Sequence, residues 1–205
     1  MDMDPGIICF QHCGLKIFCF SLPDKCPLCK TDFTSGGLNL LPFRVPYPFV
    51  RASQHPCAVV IKPTVGDFLN DYYNSMDLHI GVTTSSGIIV EFDQCGLRRH
   101  SNPLWEQCLL LGQVPISWRE HWDLTLLRVC KQNCWNQKSY DEKLFNCYTF
   151  VLTFLKELEY DQMSIAARCR NIFCEEYIVP RTTIAGKYIS LYRKLKKDVC
   201  FVENM

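Results

Sequence analysis

The sequence predicts an α+β protein, an antiparallel sheet packed on helices, preceded by a small cysteine-rich module. Three observations lead there. β-rich runs crowd residues 57–93, a helical period takes over from residue 147, and five of the fourteen cysteines fall within the first 29 residues. Hydrophobic residues make up 48% and charged residues 21% of the 205, enough apolar material to bury a sizeable core. The formal net charge of +1 excludes a global basic field of the kind that binds nucleic acid, and no nucleic-acid partner is assigned. Arg193, Lys194, Lys196 and Lys197 form the one local bias and read as the solvated face of a last helix.

The module is assigned to residues 1–40. Cys26-Pro-Leu-Cys29 is a turn in which two thiolates three positions apart can grip one tetrahedral metal ion. Cys13, followed by Gly14, supplies a third thiolate. The residue three before it is Phe10, so the fourth ligand must come from Cys9 or His12. Between the pairs, LKIFCFSLP reads as a strand carrying Cys19. This is the spacing of a zinc-ribbon-like site with a structural zinc ion; a ribbon that has lost its metal is the alternative. The fourteen cysteines do not suggest a disulfide scaffold. The acidic start MDMDPG is the wrong opening for a secretory signal. No run reaches the ~18 apolar residues of a membrane span, so the expectation is an intracellular, cytoplasmic protein, with the nucleus also open, and no transmembrane segment.

Residues 41–56 read as a stiff linker, because three prolines in Leu41–Phe49 can continue neither a helix nor a central strand. The second domain is assigned to 57–205. CAVVIK (57–62) reads as a strand and GDFLNDYYN (66–74) as a short helix. LHIGVT (78–83) and GIIVEFD (87–93) read as a hairpin around Thr84-Ser85-Ser86. Residues 97–111 read as loop with a short helix, 122–130 as ambiguous, and 131–143 as polar loop. In LFNCYTFVLTFLKEL (144–158) the apolar positions 147, 150, 151, 154, 155 and 158 follow a helical period behind the N-cap Asn146. Further helices are expected over 164–176, with Ile165, Cys169, Ile172 and Phe173 on one side, and over 183–197.

Cys147 is the sharpest functional signal. A thiol directly after an N-cap faces unpaired N–H groups and the positive end of the helix dipole, which favour an anion. A thiol nucleophile also needs a general base and a group that orients the base. Of five histidines, only His79 lies inside a β run. With an odd hairpin loop, His79 stands directly opposite Glu91, whose carboxylate can orient the imidazole. A two-residue loop instead sends Glu91 to the other face. The bland reading is that Cys147 is simply the first buried side chain of its helix.

The pattern HIGV-x(4)-GIIVE, followed later by NCYTFV, resembles the circularly permuted papain-like (NlpC-type) folds, including the lecithin retinol acyltransferase and PPPDE thiol-peptidase families. The resemblance covers roughly residues 70–158. It implies a permuted papain-like domain in which Cys147 is the nucleophile, His79 the base and Glu91 its orienting partner. Tyr148 departs from the acyltransferase pattern, which has an acidic residue or His there, so the substrate class does not carry over. The implied function is a cysteine-dependent hydrolase or acyltransferase acting on an ester, thioester or amide. The alternative is a non-catalytic protein-binding scaffold that retains the fold. The implied partner is accordingly an acyl substrate or another protein.

Overall fold

The structure, a computed structural model, describes residues 5–33, 40–100 and 105–203. The chain forms two compact units. One is built from the chain up to Pro48 together with residues from Gly186 onward; the other spans Phe49–Ala185.

The first unit begins with strands β1 (Ile8–His12) and β2 (Leu15–Cys19), an antiparallel hairpin in which Phe10 faces Ile17 and His12 faces Leu15. Cys13 and Gly14 turn the chain with φ of 55° and 74°. β3 (Leu40–Arg44) pairs with β1, so part of the stretch expected to be linker is a sheet strand. The core of this unit gathers Phe10, Ile17, Cys19 and Cys26.

The second unit holds β4 (Ala58–Pro63), β5 (Leu78–Thr83), β6 (Ile89–Asp93), β7 (Gly96–His100) and β8 (Leu109–Gln113). Their order in the sheet is β7-β6-β5-β4-β8. Ala58–Ile61 are buried without alternation, because β4 is central and covered on both faces. Helix α1 (Arg119–Cys130) resolves the ambiguous 122–130 stretch. Then comes α2 (Cys147–Leu158), whose six apolar-stripe positions 147, 150, 151, 154, 155 and 158 are all buried. Trp122 of α1 meets Phe154 of α2 edge-on, with centroids 4.7 Å apart.

Several expectations fail for local reasons. Residues 66–74 form turns, because the Asp67 side chain accepts from the Asn70 backbone N–H at 2.8 Å and competes with helix formation. The 97–111 stretch contributes strands β7 and β8; residues 101–104 within it, like residues 1–4 of the acidic start, lie outside the described residues. The helix expected over 164–176 is divided into α3 (Asp161–Ala166) and α4 (Arg170–Phe173). Ile165 and Ile172 are exposed there, and Phe173 alone of the four expected inward residues is buried. A π-turn over Cys174–Ile178 leads into α5 (Val179–Leu195). Pro180 supplies the reason: it lacks the N–H owed to Glu176 and its ring crowds that carbonyl, and a wider turn relieves both.

The last strand, β9 (Cys200–Glu203), pairs with β2 and completes the first sheet in the order β3-β1-β2-β9. Residues from Gly186 onward therefore group with the first unit, not with the 57–185 part of the chain. No helix among the described residues is long and apolar enough to cross a membrane.

Candidate active site and metal centre

β5 and β6 pair through Val82–Val90 and Thr83–Ile89. This leaves residues 84–88 as a five-residue loop, odd as the same-face arrangement requires. Continuing the count sets Glu91 across from Gly81, so His79 is its diagonal neighbour and not its direct opposite. The two side chains still meet: His79 Nε2 lies 2.9 Å from Glu91 Oε2. Loop closure is secured from α1, where the Asp123 carboxylate accepts from the Ser85 backbone N–H at 3.0 Å and from its hydroxyl.

Glu91 is 3% exposed and collects four partners. Oε2 accepts from His79 and from Trp105 Nε1 at 3.2 Å; Oε1 meets His100 Nε2 at 2.6 Å and accepts from Arg98 Nη2 at 3.1 Å. Burial alone raises the pKa of a carboxyl group and is the largest single influence here. The hydrogen bonds and positive charge of His79 and His100 outweigh it and hold Glu91 down at about 2. Sequence reasoning missed Arg98, His100 and Trp105. The available signal was the turn Asp93–Gly96, which sets Arg98 directly across from Glu91.

Gly81 makes room for this arrangement. A Cβ there would lie 3.2 Å from Trp105 Cη2 and Cζ2 and 3.3 Å from the Val90 carbonyl oxygen. Gly81→Val therefore displaces the indole from Glu91 and overpacks the sheet, at a cost of about 2–3 kcal/mol measured by urea unfolding.

With Nε2 on Glu91, His79 keeps Nδ1 for a second interaction, and the Cys147 thiol lines the same cleft as the ring. Burial, the largest influence, pulls the imidazole pKa down; the interactions with Cys147 and with the Glu91 carboxylate overcome it and raise it to about 9. Asn146 positions the thiol. Its side chain accepts from the Tyr148 N–H at 3.1 Å, its own N–H donates to Thr149 Oγ1 at 3.2 Å, and its amide donates to the Glu142 carbonyl at 2.6 Å. This capping box fixes the first turn of α2 and leaves the Cys147 N–H without an intrahelical acceptor. Cys147 and His79 are 5% and 8% exposed, and both line a cleft of about 330 Å³ with Asp77, Tyr140, Glu142 and Arg170. The Arg170 guanidinium stacks on Tyr148 at 4.3 Å. The structure thus pairs His79 with Glu91 and sets Cys147 on the same cleft as His79.

The charged states of His79 and Glu91 carry a pH signature. The raised His79 pKa stabilises the fold fully below its ordinary 6.5, and that contribution is lost as pH rises through about 9. The depressed Glu91 pKa contributes above its ordinary 4.5, and that contribution is lost as pH falls through about 2. Both are intact between about pH 4.5 and 6.5. Glu91→Gln leaves the buried imidazolium without its partner and costs about 3 kcal/mol in that window. Urea midpoints compared across pH should show the gap to wild type closing toward pH 9.5.

In the first unit, the donor atoms of His12, Cys13, Cys26 and Cys29 all lie within 4.8 Å of one another, close enough to hold one metal ion. His12 Nδ1 is 3.1 Å from Cys13 Sγ and 3.5 Å from Cys29 Sγ. The Leu28 N–H points at Cys26 Sγ at 3.4 Å, and hydrogen bonds with Thr31 and Cys13 hold the Cys29 thiol down at about 6. His12 is thus the fourth member of the cluster. Cys9, the other residue expected there, is not among the four. It lies three positions from His12 on the same strand, and strand alternation sends it to the opposite face.

The fold and site define an α+β protein with a buried His–Glu pair and a cysteine on one cleft in one unit, and a His–Cys cluster in the other. The chain belongs to the DUF4796 family, whose C-terminal region matches residues 42–195 and whose N-terminal region matches residues 5–33. It is similar to the human protein named MKRN2 opposite strand protein, with 32% identity over 202 residues, covering 97% of this chain and 90% of that relative. No solved structure matches it significantly.

Proposed function

We propose that this protein is a cysteine-dependent hydrolase or acyltransferase with a permuted papain-like catalytic unit and a structural zinc ion in its first unit. One observation carries the catalytic reading: His79, hydrogen-bonded to Glu91 through one ring nitrogen, lines the same open cleft as Cys147 at the head of α2. An imidazolium against the sulfur favours thiolate, the reactive form. Cys147 Sγ attacks the carbonyl carbon of an ester, thioester or amide. The oxyanion forms within reach of the free Cys147 N–H, and His79 gives its proton to the leaving group. Neutral His79 then takes a proton from water or another acceptor, which attacks the thioester carbonyl and releases Cys147 as thiolate. Glu91 keeps the ring oriented throughout.

Zinc suits the cluster because three thiolates and one imidazole are the donor set of a closed tetrahedral site, with no position left for substrate. His12, Cys13, Cys26 and Cys29 would hold it.

An electrophilic acyl probe, followed by intact-protein and peptide mass spectrometry, tests the catalytic reading. Wild type should be labelled at Cys147, and Cys147→Ala should lose that label. The exposed Cys95 and Cys134 serve as internal controls. Labelling of those two at the same rate as Cys147 would leave a buried structural cysteine and a binding scaffold.

A further inference from the structure

The β2–β9 ladder sets Cys19 directly across from Cys200. Directly opposed residues in an antiparallel ladder point to the same face, with Cα atoms about 4.5 or 5.5 Å apart depending on the pair type. Both separations fall inside the roughly 4.4–6.8 Å span of disulfides. Packing agrees with the ladder, since Cys200 and Val202 lie against the same core cluster as Cys19 and Ile17. Cys9 is excluded by alternation: it faces Phe18, on the other side of the sheet. Among the described strand pairings, Cys19–Cys200 is the one in which two cysteines face each other.

We propose that Cys19 and Cys200 form a cross-strand disulfide under oxidising conditions, stapling the last strand onto the first sheet. Both residues are free thiols in the reduced protein. Cys200 is half-buried on a terminal edge strand of four residues, whereas Cys19 is 1% exposed, so the oxidant meets Cys200 first. With a peroxide as oxidant, the Cys200 thiolate attacks one peroxide oxygen. This gives the sulfenic acid and releases hydroxide, or alkoxide from an organic peroxide. The Cys19 sulfur then displaces the sulfenic hydroxyl, forming the S–S bond and releasing water. Two thiols are thereby oxidised by two electrons, and one peroxide is reduced. Burial and the neighbouring thiols push Cys19 up to about 11, so the second step is slow and waits on fraying of β9.

The test uses the full-length, metal-loaded protein exposed to a small excess of hydrogen peroxide, alkylated, and digested without reduction. The expected product is a Cys19–Cys200 linked peptide, retained in Cys9→Ser and absent from Cys200→Ser. Hydrogen exchange of residues 16–19 and 200–203 should slow by about tenfold on oxidation, because opening of the edge strand is suppressed. Recovery of Cys19 in alkylated form while Cys9 or the cluster cysteines become oxidised would overturn the proposal. So would a linked peptide with unchanged exchange, since a staple that does not restrain β9 is not one.

Discussion

His79→Ala lowers the rate at which Cys147 reacts with iodoacetamide at pH 6.5 by about 10–100-fold, because a neighbouring imidazolium favours the reactive thiolate form of a thiol. The wild-type sulfur shares its cleft with an imidazole whose pKa is raised to about 9, so the ring stays charged well below neutrality. The deficit of the variant should shrink as the pH approaches 9.5, where an unassisted thiol ionises by itself. Turnover of an acyl substrate should fall further than alkylation, by about 10²–10⁴, because in the proposed mechanism His79 also protonates the leaving group. Stopped-flow alkylation across pH, read peptide by peptide against Cys95, separates these effects. Equal rates at pH 6.5 would mean that the contact between Cys147 and His79 does nothing to the sulfur.

On the proposed zinc reading of the cluster, removing the metal should unfold the first unit and leave the second folded. The cluster closes a core of few large side chains, chiefly Phe10 and Ile17 with Phe33 packed beside them. Zinc bound to comparable sets supplies on the order of 10 kcal/mol at neutral pH, more than such a core provides alone. A strong chelator, or Cys26→Ser, should abolish hydrogen-exchange protection in β1, β2 and β9 and release one equivalent of zinc. The tryptophans all lie within 49–185, so their fluorescence should stay native and report on the second unit separately. Acid should also strip the metal, as the thiolates and His12 take up protons.

The helix carrying Cys147 was legible because one face of it is apolar at a constant period and its cap is an asparagine. The sequence made the side-by-side placement of His79 and Glu91 conditional on an odd loop, and neither the parity nor the offset was legible: the strands pair around a loop of 84–88 rather than 84–86. What surrounds Glu91 was not legible. Gly96–His100 carries Arg98, Arg99 and His100, so its residues show no apolar alternation; it is a strand in which Arg98 and His100 answer a buried carboxylate on its neighbour. β9 was hidden by its length of four residues and by a partner nearly the whole chain away. Cys9 and His12 could not be ranked until strand alternation fixed which of them shares a face with the knuckle.

The wiring of the first sheet also sets a timetable for synthesis. β1, β2 and β3 are complete by Arg44, yet the neighbour of β2 is the final strand, ending at Glu203. At about 5–20 residues per second, that strand leaves the ribosome on the order of ten seconds later. Throughout that interval β2 shows a bare row of backbone donors and acceptors, the kind of template on which nascent chains aggregate. His12, Cys13, Cys26 and Cys29 all emerge early, so metal capture can hold the half-built sheet together while it waits for its last strand.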